Sequence, residues 1–594
     1  LTDTRERHLK GNRGIALVFV MIVLAIALAL ALAIGYMLFS EISSSRRSTS
    51  VAQAFFAAEG GQEYARRLLD YKMETFSVPT ITTTSDMNIY AANALAGNRA
   101  GDEDIGVLRD FVPGFDEFLP RNEVAISAEL GEGDNAVIYE VSYDFTPTDV
   151  DYPDPADPSG AYVFYYDYAI TAVGKKPYST LSGEQKTQLT GSFEVTIFHP
   201  SFAFYNFFTV NMDYNGSQIY FASNEMLAGP IYVGSRPGFA GDYHGGGPTF
   251  TDQFQSTWPS YETAKKIYNP VVQWNEEYPP LWGVDAIPTP ENSFSQARVA
   301  MGDLTGAGDM SDITHEERRE NLGLLPGGSA PPKGVYYAEG DGTTDEGNNT
   351  DELLGGIYVY GDVDQMRLAA DGNHQYISIR QGGDQTIVDI NKAAGSTTVY
   401  PPDGPAKSYE GTPNGVVYVD GELDNLGGDQ DYDAHIQRDT QMTIACDNTM
   451  YLDDHILYEE DPREVEDAIN VLGLYSGRGN TLIADDAPYG MTVHAIFMGT
   501  NPDHGFGVEN FRYKPPSGPL NILGGIIMDS YQAIGTFNSY GQQSGYYKNF
   551  TYDYRLLDRE FAPPFFPVVE PFVGRLRSIN RTDWAQVVPE LPEE

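Results

Sequence analysis

Residues 15–69 read IALVFVMIVLAIALALALAIGYMLFSEISSSRRSTSVAQAFFAAEGGQEYARRLL, and they decide how the rest of the chain is to be understood. From Ile15 to Ser40 no residue is charged, and nearly all are Leu, Ile, Val, Ala, Phe or Met. As a helix this run is about 39 Å long at 1.5 Å per residue, enough to cross a hydrocarbon layer of about 30 Å. Arg5, Arg7, Lys10 and Arg13 precede it, so the positive-inside rule keeps the first residues cytoplasmic and puts the bulk of the chain outside. The run is too long for a cleaved secretory signal, and its small-x-small tripeptide Ala31-Leu32-Ala33 lies inside it instead of after it. Beyond Ser40 the chain turns polar but keeps helical periodicity, with Val51, Phe55, Ala58, Ala65 and Leu69 on one face. One helix, apolar in its first half and amphipathic in its second, accounts for both parts.

RGIALVFVMIVLAIALALALA (13–33) followed by AFFAAEGGQEYAR (54–66) resembles the N terminus of PilX-type minor pilins and of the related type II secretion pseudopilins of the GspK kind. The resemblance covers about 60 residues. It implies a basic leader, 1–14, removed by a prepilin peptidase between Gly14 and Ile15, and a helix, 15–72, whose part 15–40 spans the inner membrane before assembly. It also implies partners, since residues 15–69 would pack on other pilins or pseudopilins. Most pilins carry a Glu five residues into the mature chain, where this sequence has Phe19. In those filaments the carboxylate pairs with the terminal amine of an adjacent subunit, inside an apolar core where an unpaired charge is costly. Phe19 therefore points to a tip or initiating position.

A chain of 594 residues exceeds one core and divides into about three or four domains. Hydrophobic residues at 41% and aromatics at 12% supply those cores. A net charge of −47, from 37 basic and 84 acidic residues, argues against nucleic acid as a partner and for solubility in a salty exterior. The single cysteine, Cys446, excludes an internal disulfide framework, and in an apparent strand it reads as a buried structural thiol.

After the helix, three runs alternate with period two: NAVIYEVSYDF (135–145), AYVFYYDYAITAVGK (161–175) and TQLTGSFEVTIFH (187–199). They read as antiparallel strands, giving a pilin-like α+β domain over 73–200 with a three- or four-stranded sheet under the helix. Two later stretches repeat a pattern, GGIYVYGDVDQMRLA (355–369) and NGVVYVDGELDNLGG (414–428). Short strands punctuated by Gly and Asp predict an all-β passenger, an irregular β-solenoid or β-helix-like region, with an irregular sandwich as the alternative. The passenger divides into a first part, 201–345, and a solenoid-like part, 346–570, before a C-terminal tail, 571–594. HEERRENLGLL (315–325) and DPREVEDAINVLGLY (461–475) read as helices in this region. GGIIMDSYQAIGTF (524–537) and GYYKNFTYDYRLLDREFAPPFFP (545–567) resemble the end of a passenger domain found behind PilX-type N termini. That likeness implies export and architecture but no chemistry.

Catalytic signatures are lacking. None of the nine histidines has metalloprotease spacing, and there is no phosphate-binding loop or nucleophile elbow. The chain is expected not to be an enzyme. The alternatives are a membrane-anchored β-helix enzyme acting on polysaccharide and a surface anchor that never assembles. Calcium is the cation that the acidic loops suit, through Asp341, Asp345, Asn348 and Asp351 or through Asp424, Asp429, Asp431 and Asp433. The 40 tyrosines offer a surface for polysaccharide or protein.

Overall fold

A helix of 70 residues, α1 (Thr4–Met73), opens the chain. The computed structural model describes residues 4–73 (side chains of 19–69), 76–78, 87–88, 91–92, 126–131, 136–153, 161–176, 184–339 save 215, 224, 242–245 and 277, 353–558 save 539–540, 561–569 and 572–587. These residues fall into two units, one formed by 1–152, 162–197 and 573–594, the other by 153–161 and 198–572.

The first unit lays the second half of α1 on a six-stranded sheet. Its strands are β1 (Phe76–Val78), β2 (Ile126–Leu130), β3 (Val137–Asp151), β4 (Tyr162–Lys175), β5 (Gln185–Phe198) and a C-terminal strand, Phe572–Val587. The spatial order is β1, C-terminal strand, β5, β4, β3, β2. The three alternating runs of the sequence become β3, β4 and β5, antiparallel neighbours whose burial alternates in and out along most of their length. Their inner face is aromatic: Tyr143, Phe145, Tyr166 and Phe193 are buried, and Tyr166 stacks on Phe193 at 5.0 Å. β3 runs six residues past Phe145, across Pro147, because the register shifts between Pro147 and Asp149 and that shift spares the ladder a missing N–H. The segment 571–594, expected to be a tail, instead supplies the strand between β1 and β5.

The second unit is all β apart from short helices. One sheet has eleven strands, in the order Leu281–Trp282, Phe254–Ser256, Ile231–Val233, Phe207–Asn211, Ile526–Ser530, Ile496–Gly499, Val471–Ser476, Gln441–Cys446, Val416–Asp420, Leu353–Tyr360 and Gly334–Glu339. Every neighbouring pair is parallel except the last. Parallel strands covered on both faces need continuous apolar runs, which is what VVYV, MTIAC and IIM provide. Ile357, Val417, Ile444 and Leu474 fill one face, and Tyr358, Tyr418, Ala445 and Tyr475 the other. A nine-stranded sheet takes the alternate strands, five in an antiparallel meander (365–410) and four parallel.

The two sequence repeats stack in register: Ile357 pairs with Val417, Tyr360 with Asp420, and Val363 bridges Leu423. Gly361 turns at φ 90°, and Gly421 lies so close beneath it that a Cβ would stand 2.7 Å from the Asp362 carboxylate. The division at 345/346 is not a boundary, since strands from both sides share the eleven-stranded sheet. His315–Asn321 is a helix with a full capping box at Thr314 and Glu317. DPREVEDAINVLGLY is not: turns occupy 462–464 and 466–467, and Val471–Ser476 is a wholly buried strand between Gln441–Cys446 and Ile496–Gly499. Pairing with two parallel neighbours overrides its helical spacing.

The chain enters the eleven-stranded sheet at an inner strand, Phe207–Asn211, runs out to Leu281–Trp282, passes through the helices Phe294–Ala300 and His315–Asn321, and returns from the far edge to Ile526–Ser530. Its last strand pairs with its first, Ile526 opposite Phe207.

Three histidines hold the turns that connect the sheets. The N–H groups of Leu457 and Thr492 donate to Nδ1 of His435 and His455, each at 2.9 Å, and that of Tyr458 to Nδ1 of His494 at 3.2 Å. An imidazole accepts at Nδ1 only when neutral. Burial pushes His435 downward and His494 down to about 4. A histidine lowered on folding stabilises fully above its unfolded value of about 6.5 and loses that contribution as pH falls toward the folded value. The unit should therefore lose on the order of 3 kcal/mol through His494 between pH 6.5 and 4. Melting temperatures of the wild type and His494→Gln across that window check this. The variant should show a flatter acid limb, and parallel limbs would contradict it.

Candidate functional site: the long helix and the sheet beneath it

The two halves of α1 meet different surroundings. In the first half Phe19, Leu24, Leu32 and Phe39 are exposed, Phe19 at 67%, and the helix is long and apolar enough to cross a membrane. A contiguous apolar surface of that size needs lipid or protein against it. In the second half Ser50, Ala54, Ala57, Ala58, Gln62, Ala65 and Leu69 are buried. That stripe is rotated from the one the sequence predicts: Val51 and Phe55 are only half-buried at its flank. Small residues, not the bulky ones, face the sheet, because the backbone of α1 lies almost on β4.

Two glycines permit that approach. A Cβ on Gly174 of β4 would run into the carbonyl of Ala54, and one on Gly61 of α1 would stand 2.5 Å from the Tyr139 ring. Polar ties fix the position. The Tyr143 hydroxyl donates to the Ala65 carbonyl at 3.0 Å, and the Gln62 amide donates to the Ile170 carbonyl at 3.4 Å. From the C-terminal strand, the Trp584 indole N–H donates to Gln62 Oε1 at 3.0 Å, and its ring meets Phe55 edge-on at 6.3 Å. Gly174 carries a signal in the sequence, a glycine at the end of an otherwise β-branched and aromatic strand. Gln62 and Trp584 carry none.

Gly14 and Ile15 lie within α1, their side chains outside the described residues. Asp341, Asp345, Asn348 and Asp351 also lie outside the described residues. Asp424, Asp429, Asp431 and Asp433 do not converge. Burial first, then the carboxylates of Asp362 and Asp364, push Asp424 upward, while Asp429 accepts the Asp431 N–H at 3.1 Å in a local turn. Among the described residues no group of three acidic, His or Cys side chains is arranged to hold a metal ion. Cys446 is buried, donates to the Asn448 carbonyl at 2.9 Å, and is pushed up to about 12 by burial, so its thiol is structural. In the Arg318–Asp420–Tyr358 cluster, Arg318 Nε donates to Asp420 at 2.7 Å and the Tyr358 hydroxyl donates to the same oxygen. The cluster staples the helix His315–Asn321 to the eleven-stranded sheet.

No family model matches the chain, and no curated protein sequence matches it. Among solved structures it is similar to the competence-associated pilin ComZ from Thermus thermophilus. The identity is 11%, with 91% of this chain and 98% of that chain covered, at a TM-score of 0.30. A superposition that loose settles neither fold nor function.

The adjacent pair Gly60 and Gly61 tests the docking geometry. A Cβ on Gly60 meets nothing within 4 Å, so Gly60→Ala should stabilise by about 0.5–1 kcal/mol through helix propensity alone. Gly61→Ala and Gly174→Ala should each destabilise by about 1–3 kcal/mol through overpacking. Thermal melts in detergent decide it; a destabilising Gly60→Ala or neutral changes at the other two would contradict the geometry.

Proposed function

We propose that the chain is a pilin-like subunit, of the PilX or GspK kind, of a type IV pilus or type II-secretion-like filament, and that it displays a large β-rich domain outside the cell. The observation that carries this reading is the division of α1: a bare apolar half of membrane length joined without a break to a half that lies by small residues on an antiparallel sheet. Such a helix can be held in the inner membrane through 15–40 and then exchange lipid for the helices of other subunits, while the sheet carries the cargo. Phe19 at the fifth position of the mature chain offers no carboxylate to a neighbouring amine, and the 375 residues from 198 to 572 are a bulky cargo to repeat along a shaft. Both favour a tip position in few copies.

In this reading the β-rich unit is an irregular, solenoid-like stack whose role is adhesion or partner binding, not catalysis. Its buried charged groups support that role, because Asp420, Arg318 and Arg298 are committed to one another, to Glu317 or to backbone carbonyls.

Processing tests the reading. The native protein should begin at Ile15, and Gly14→Glu should retain the leader; a leader still attached to the native protein or a cut beyond Ala33 in N-terminal sequencing would remove the pilin assignment. Antibody against the β-rich unit should label the ends of isolated filaments. Label along the whole shaft would overturn the tip position alone.

A further inference from the structure

Between α1 and the C-terminal strand, the sheet of the first unit lies open in a cleft of about 740 Å³, within the range that takes a drug-sized ligand. Phe56 and Gly60 of α1 form one wall, Ile579 and Trp584 of the C-terminal strand the other, and Leu189 and Tyr168 the floor; Glu59, Glu63, Arg66 and Arg581 supply its charges, with Glu63 taken up by Arg66 and Arg67. Tyr168 reaches this place because β5 carries Gly191 beneath it, where a Cβ would stand 2.7 Å from the ring.

Three features mark the cleft as unfinished. Tyr168 is only 3% exposed, yet its hydroxyl has no hydrogen-bond partner among the described residues. A buried polar group left so costs about 1–3 kcal/mol, and native proteins rarely leave one. Burial pushes the hydroxyl's pKa up, and the nearby guanidinium groups of Arg66 and Arg581 pull it back. Arg66 is committed to Glu63 through two bonds of 3.1 and 3.2 Å, whereas Arg581 makes no ion pair among the described residues. Phe56 is 66% exposed on the rim, facing a strand whose Trp584 has already given its N–H to Gln62.

An O–H donor with no acceptor and a guanidinium with no ion pair among the described residues, together with two apolar ring faces, define the complement. We propose that this cleft docks an acidic peptide segment of a partner protein, its carboxylate accepting from Tyr168 and Arg581 while an adjacent apolar side chain lies between Phe56 and Trp584. A lipid headgroup is the wrong source for the anion. Phe56 stands about 24 Å beyond Ser40 along the helix, well outside the hydrocarbon and headgroup layers. That exclusion rests on the membrane reading of α1, whereas the binding assay does not.

The test uses the full chain in detergent and the fluorescein-labelled peptide Gly-Leu-Glu-Phe-Glu-Gly, followed by anisotropy. Binding should saturate, and the Gln-for-Glu peptide should bind about tenfold more weakly or worse. Arg581→Gln and Tyr168→Phe should each weaken the acidic peptide about tenfold with the melting temperature held, while Lys186→Gln, on the opposite face of β5, should leave it unchanged. Arg581 is exposed on its strand, so its variant remains decisive if Tyr168→Phe misfolds. Equal affinity for both peptides, no saturation, or an unaffected Arg581→Gln would overturn the proposal. Displacement by inorganic phosphate as efficient as by unlabelled peptide would reduce the site to a simple anion site and overturn the peptide assignment. N-terminal processing and filament labelling are independent of all these outcomes, so the docking proposal and the pilin reading can fail separately.

Discussion

Two stretches of chain 370 residues apart lie side by side, and the architecture depends on their meeting. His199 Nδ1 bonds the Val569 carbonyl at 3.0 Å, the N–H of Phe202 donates to Pro567 and that of Val569 to Pro200, and the rings of His199 and Phe572 stack at 3.6 Å. Because the β-rich unit begins and ends at one point, it can interrupt the first unit between β5 and the C-terminal strand without pulling the sheet apart. Adjacent termini are what make insertion of one domain into another tolerable. The topology of the unit follows from the same constraint. A stack entered at one end and left at the other would separate its termini by its whole length. Entry at an inner strand, Phe207–Asn211, with return to the strand beside it brings them together.

The interrupted unit has a division of its own. The second half of α1 gains its position from close backbone packing and a few polar ties, whereas the first half gains nothing from the rest of the described chain. Bulky apolar residues sit where no described protein covers them, and alanines and glycines where the sheet does. The small residues reserved for one face of the second half serve its close packing on the sheet. The open cleft beside that face, floored by Tyr168, belongs to the same geometry, since the helix covers only part of the sheet.

Much of this is legible in the residues. The apolar run is long enough for a helix of membrane length, and the period-two runs at 135–145, 161–175 and 187–199 read as strands. The two Gly-acid-apolar-Asp repeats announce stacked strands because each repeat buries the same positions against its neighbour. Where sequence and structure part, the reasons are physical. FVGRLRSINRTDWAQV reads as a tail because four charges interrupt its alternation and prolines flank it; only its partners β1 and β5 make it a strand. DPREVEDAINVLGLY has helical spacing, but long-range parallel pairing decides its conformation. Hydrophobicity alone puts the buried stripe of α1 on Val51 and Phe55, whereas close approach to the sheet selects for smallness. No single-residue signal announces Trp584, whose role depends on Gln62 lying opposite, 522 positions away in sequence.

The final strand completes the sheet on which the helix lies, so the β-rich unit is an insertion and not a C-terminal appendage. Native-state amide hydrogen exchange tests it most directly, because protection follows membership of a cooperatively folded sheet. Amides of 573–587 should be protected to the same degree as those of β5 and should open together with them as denaturant is raised. Complete exchange of 573–587 while β5 remains protected would contradict the insertion and restore the segment to a tail.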